Sequence, residues 1–168
     1  VYCTTTDASK EGAVIPGMGG YFCGMWWTLP LTLDGRLIDL DIPALELMAF
    51  AVNMIMFAGV FKQLVKQPGT MLIAYIDAKA SPQLLVKGGS QSFVMSRVLK
   101  VVQEWPIVVQ LRSKLLVAHT YGEGNVASDC SSRGNFAQLG RFCAQVGARA
   151  KEVPLTREVV KFLEAVFE

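Results

Sequence analysis

Residues 44–61 read "ALELMAFAVNMIMFAGVF", and no other stretch of this 168-residue chain restricts the fold as much. A run this apolar either crosses a bilayer or lies inside a core. A spanning helix needs about 20 clean apolar residues, and a charge near its middle costs a few kcal/mol. Glu46 and Asn53 interrupt the run, and Lys62 and Lys66 follow it. We therefore read a buried core helix, started by Asp41 and Pro43 and continuing to about Lys66. An isolated Glu46 on such a helix asks for a chemical reason.

The rest of the chain supplies layers to cover that helix. Hydrophobic residues make up 52% and charged residues 18%, which excludes a disordered chain and gives one domain a real core. A net charge of +2 permits an anionic partner without demanding one. The four cysteines, Cys3, Cys23, Cys130 and Cys143, form no C-x-x-C pair. They read as reduced, mostly buried thiols of an intracellular protein, in cytoplasm or nucleus. No signal peptide or membrane segment is read, and the chain opens in a strand-like run without an initiator Met, as a piece cut from a longer protein would.

Residues 1–6 read as a strand ending at Asp7, followed by a Gly-rich turn region over 7–20. "YFCGMWWTLPL" (21–31) reads as a second strand, in which Trp26 and Trp27 alternate and serve packing. The "DG" at 34–35 signals a hairpin into a third strand over 36–42. "MLIAYID" (71–77) has the pattern of a strand buried on both faces. Helical pieces follow over 78–87 and 91–105, with Pro106 as a stop, and a strand region spans 107–119. Asn125 caps a further helix, Gly134 interrupts it, and Asn135 caps the next, to about Val146. Val159, Phe162, Leu163, Val166 and Phe167 stand at helical spacing in an amphipathic closing helix. Three meandering strands followed by βαβ units predict a mixed sheet with helices on both faces. The expected division is a domain over 1–150, with 151–168 as a C-terminal helix packed on it or extending it.

Four acids stand out. Asp7 and Asp77 each end an apolar strand, and parallel neighbours would bring those ends together at the carboxyl edge of the sheet. Glu46 and Asp129 sit near helix starts, where the dipole alone favours a carboxylate. Asp is a poor strand residue, and two like charges at adjacent ends repel unless a divalent cation lies between them. Hard oxygen donors suit Mg²⁺ or Mn²⁺. Spacing leaves two readings open: a metal site, or capping and turn roles.

Here the chain resembles a known family. "TDAS" (6–9), "GGY" (19–21), "ALELMA" (44–49), "YID" (75–77) and "H-x-x-G-x-x-N-x-x-S-D-x-x-S-R" (119–133) are similar to the motifs of ribonuclease H, with the flavour of retrotransposon polyproteins. The resemblance covers about 1–140. It implies an α/β, RNase H-like fold with a mixed five-stranded sheet in the order 3-2-1-4-5. It also implies that Asp7, Glu46, Asp77 and Asp129 hold two Mg²⁺ or Mn²⁺ ions. His119 would move a proton during product release, or else be a loop histidine bonded to backbone. The implied activity is hydrolysis of the RNA strand of RNA–DNA hybrids, beside a reverse transcriptase domain of the same polyprotein. Ala78 stands where the family often has Asn, and Ser128 where it usually has Ala. Contact with 2′-hydroxyls then falls to Ser9, Gly12 and Gln83.

Lys87, Arg97 and Lys100 surround a Gly-Ser helix start, and Arg97 and Lys100 are three apart on one face. They form a phosphate-binding ridge or an ordinary solvated face. Two rival functions remain: a catalytically silent RNase H-like module that binds or braces a reverse transcriptase, and a transposase- or integrase-like nuclease core. "GMGGYFCG" is not G-x-G-x-x-G, and a Cys130–His119 thiol dyad is disfavoured, since such a Cys is usually a small buried residue.

Overall fold

A computed structural model describes residues 1–76, 93–119 and 125–168. Tyr2–Ser9 forms β1, Gly17–Phe22 forms β2 and Met25–Pro30 forms β3. This corrects the expected strand bounds. β1 does not end at Asp7 but carries it inside, opposite Gly19 of β2. Residues 36–42 are not a strand: 3₁₀ turns occupy Leu31–Leu33 and Gly35–Asp39.

The glycines explain the misplacement. "GMGGYF" has a turn composition, yet a Cβ on Gly19 would strike the Ser131 hydroxyl and lie 2.6 Å from the Ser132 nitrogen. A Cβ on Gly20 would strike Trp27 Nε1 and Asn53 Oδ1. These glycines clear space on both faces of a strand and bend nothing. The hairpin instead turns at Cys23 and Gly24, with φ of 48° and 84°, the positive signs of a primed two-residue turn. At "DG", Asp34 is spent on its own neighbourhood, accepting from the Arg36 backbone and side chain.

The apolar run forms α1 (Ile42–Met56) and α2 (Ala58–Val65), bent by 72° at Phe57. As expected, Asp41 caps α1 by accepting from the Ala44 amide at 3.1 Å. Residues 44–56 of α1 are all buried, which accounts for a helix apolar all round. Among the described residues, no single helix is long and apolar enough to cross a membrane.

β4 (Leu72–Ile76) lies parallel to β1, and β5 (Leu115–His119) lies parallel to β4. Between them are α3 (Phe93–Glu104) and α4 (Pro106–Leu111), followed by a 3₁₀ turn at Arg112–Lys114. Pro106 thus starts a helix as well as ending one, and the strand expected over 107–119 shrinks to its last five residues. The β-branched "IVV" masks the helical spacing of buried Ile107, Val108 and Leu111. The helix expected over 78–87 lies outside the described residues. α5 (Val126–Arg133), α6 (Phe136–Gln145), β6 (Lys151–Glu152) and α7 (Arg157–Phe167) complete the chain.

The sheet order is β5-β4-β1-β2-β3-β6. Its first five strands stand in the expected order, but the sheet has six strands, because β6 adds in parallel beside β3. Adjacent residues of a strand point to opposite faces. Asn53 of α1 donates to Thr4 Oγ1 at 2.8 Å, and Thr5 Oγ1 shares a hydrogen bond with Ser128 Oγ of α5 at 2.6 Å. Hence α1 and α5 cover opposite faces. α7 buries Val159, Phe162, Leu163 and Val166, with the Phe162 ring edge-on to Trp105 at 5.3 Å.

Candidate active site

The site lies toward the C-terminal end of β1. Among the described residues, the last pair joining β1 to β4 is Thr6 with Ile76, and β1 continues to Ser9 along β2. In the next two residues, Asp7 is 2% exposed and the Ala8 amide donates to Glu46 Oε1 at 3.1 Å. Glu46 is itself 2% exposed. Two carboxylates are therefore buried at one strand end, and burial of like charges is costly unless each is compensated. Asp7 Oδ2 accepts from the Ser132 hydroxyl at 3.0 Å.

α5 is tied to this strand by small polar side chains. Asn125 holds the N-cap position, but its side chain makes no cap hydrogen bond. Instead its amide donates to the Thr6 carbonyl at 2.9 Å, so it fastens the helix start to the strand and not to the helix's own backbone. Ser128, Ser131 and Ser132 are fully buried against the glycine-cleared face of the sheet. Asp129 lies one turn before Ser132 and Arg133, and its Oδ1 accepts from Arg133 Nε at 2.8 Å. Both of these side chains are over a third exposed, at 36% and 41%. An exposed i,i+4 pair contributes about 0.3–0.5 kcal/mol, so it holds Asp129 only weakly.

The other expected site residues divide. His119 ends β5, half-buried, with Nδ1 3.2 Å from the Ile76 carbonyl; the residue is on a strand end and not in a loop. Ser9 is corrected: it is 2% exposed and its hydroxyl donates to the Ser132 carbonyl at 2.7 Å, so it is a structural tie and not a groove contact. Gly12 is exposed in the β1–β2 turn with φ of 73°. Lys100 is exposed on α3, whereas Arg97 is half-buried in a depression with Arg36, Phe93 and Phe167. Asp77, Gln83 and Lys87 lie outside the described residues. Cys130 is 1% exposed, and burial, then the charge of Asp129, push its thiol up, as for a small buried residue.

Ser132 was not picked out from the sequence. Its signal was the run of small residues in "SDCSS" facing a glycine strand. Among the described residues, no group of three or more His, Cys, Asp or Glu stands close enough to hold a metal ion. The donor chemistry still fits one. Asp7 and Glu46 are hard oxygen ligands at one strand end, and Asp129 is on the helix bonded to Asp7 through Ser132.

No protein-family model and no curated protein sequence matches the chain. Solved structures do. One is LC11-RNase H1, isolated from compost by a metagenomic approach, with a TM-score of 0.54 and 10% identity. The match covers 80% of this chain and 96% of that one. Likeness at this identity speaks for the backbone: the chain has an RNase H-like α/β fold, with a sixth strand at its edge.

Proposed function

We propose that the chain is a metal-dependent endonuclease that hydrolyses the RNA strand of RNA–DNA hybrids, and that it belongs to a retroelement polyprotein beside a reverse transcriptase. The observation that carries this reading is the burial of Asp7 and Glu46 at the end of β1, within an RNase H-like fold. The proposed ligand set is Asp7, Glu46 and Asp129 with Asp77, the residue after Ile76 in sequence. When bound, two Mg²⁺ or Mn²⁺ ions would supply an activated water and stabilise the leaving 3′-oxygen. The chain's own part is orientation. The Ala8 amide fixes Glu46, the Ser132 hydroxyl fixes Asp7, and Asn125 keeps α5 against β1. His119, held at the Ile76 carbonyl, is assigned the proton of the departing product. Exposed Lys100 is assigned a phosphate of the substrate, and the Gly12 turn the minor groove.

A second reading, a silent binding or bracing module, is favoured by the Arg133 guanidinium on Asp129. Labelled RNA in a hybrid, incubated with Mg²⁺, Mn²⁺ or EDTA, separates the two. Cleavage that needs metal and spares duplex DNA supports the endonuclease. Hybrid binding without cleavage supports the silent module, and equal cutting of duplex DNA supports a transposase-like core.

A further inference from the structure

Two of the four cysteines are exposed, against the expectation of mostly buried thiols: Cys3 on β1 and Cys23 in the β2–β3 turn. Their positions are related. The β1–β2 pairing runs from Ser9 opposite Gly17 to Thr5 opposite Tyr21. Counting two residues further along the same register, beyond the last ladder pair, sets Cys3 opposite Cys23. The chains stay side by side past the last ladder pair, because Thr4 Oγ1 donates to the Tyr21 carbonyl at 2.8 Å and the Tyr2 and Phe22 rings lie 6.4 Å apart. Directly opposed residues in an antiparallel pair stand about 4.5–5.5 Å apart at Cα, within the span of a disulfide. Cys3 shares its strand face with Thr5 and Asp7, and Cys23 is the first residue of the turn that follows Phe22. Partial burial first, and then Cys3, hold the Cys23 thiol above the usual cysteine range.

We propose that Cys3 and Cys23 form a redox-active dithiol, closed to an intramolecular disulfide by low-molecular-weight disulfides such as oxidised glutathione. In the first step, one thiolate attacks the oxidant, making a mixed disulfide and releasing one small thiolate. The second cysteine, as thiolate, then attacks the protein sulfur and releases the other small thiolate. The protein's two thiols lose two protons and two electrons, and the oxidant is reduced to two thiols. The link joins the start of β1 to the β2–β3 turn and encloses Asp7 in its loop. Cys130 and Cys143 are buried and take no part.

The test titrates the full chain with oxidised glutathione, followed by intact mass and peptide mapping. The expected product has lost two hydrogens, carries no adduct, and yields a Cys3–Cys23 linked peptide. Its melting temperature should rise by several degrees over the reduced form. Cys3→Ser should instead hold a stable glutathione adduct on Cys23 and show no such rise. Persistent separate adducts on Cys3 and Cys23 in the wild type would overturn the proposal, as would a link that includes Cys130 or Cys143.

Discussion

Asn53 and Asp7 carry the sharpest consequences at the scale of one residue. Asn53 is fully buried, accepts from Trp27 Nε1 at 2.8 Å and donates to Thr4 Oγ1 at 2.8 Å. Asn53→Leu would strand the indole N–H in the core. An unsatisfied buried donor costs about 1–3 kcal/mol, so urea denaturation should show a loss of at least about 2 kcal/mol once packing strain is added. A loss under about 0.5 kcal/mol would show that this bridge contributes little. Asp7→Asn has the opposite profile. It keeps an acceptor for the Ser132 hydroxyl and removes a buried charge, so the melting temperature without metal should hold or rise. Hybrid cleavage should fall at least about 100-fold, the scale of losing one electrostatic group at a reacting centre. Undiminished cleavage by a folded Asp7→Asn protein would take Asp7 out of the site.

Between elements, the approach of α5 to β2 sets where Asp129 of the proposed ligand set stands. Gly19 makes that approach possible, since a Cβ there would meet Ser131 and Ser132. Gly19→Ala should push α5 outward, destabilise the fold by about 1–3 kcal/mol and lower cleavage, because the same helix bonds Asp7 and carries Asp129. Gly59 in α2 is the control. Nothing lies within 4 Å of a Cβ there, and Ala is the better helix former by about 0.5–1 kcal/mol. Gly59→Ala should be neutral or stabilising with activity unchanged. If both variants behave alike in chemical denaturation and cleavage assays, close packing of α5 is not what Gly19 provides.

Taken as one molecule, the protein should respond to metal and to salt in separable ways. Ions that bind only the folded state stabilise it by mass action, about 2.7 kcal/mol at a hundredfold excess over Kd. Mn²⁺ should raise the melting temperature of the wild type, and EDTA should reverse it. Asp7→Asn and Glu46→Gln should each diminish the shift. Shifts of equal size in all three proteins would place the metal elsewhere. The phosphate contact proposed for Lys100 would act at longer range: its replacement by Ala should weaken hybrid binding and reduce the slope of log affinity against log salt by about one. An unaltered slope assigns Lys100 to the solvated surface.

Much of the architecture was legible in the residues because it rests on local rules. The all-apolar run with Asp41 and Pro43 at its head gave α1, and the spacing of Val159, Phe162, Leu163 and Val166 gave α7. The resemblance to ribonuclease H implied the β5-β4-β1-β2-β3 core of the sheet, and position at strand ends and helix starts marked Asp7, Glu46 and Asp129 as candidates. What failed were the inferences that took the usual preference of glycine, Asn125 or Ser9 for its role. Glycines 17, 19 and 20 looked like a turn because composition cannot tell backbone freedom from missing side-chain volume; only the serines of α5 and the Trp27–Asn53 pair across the two faces make that distinction. Asn125 looked like a helix cap, and Ser9 like a groove contact, because short polar side chains bond to whichever backbone group is nearest. That neighbour, the Thr6 carbonyl for one and the Ser132 carbonyl for the other, lies more than a hundred residues away in sequence and is supplied by the tertiary fold alone.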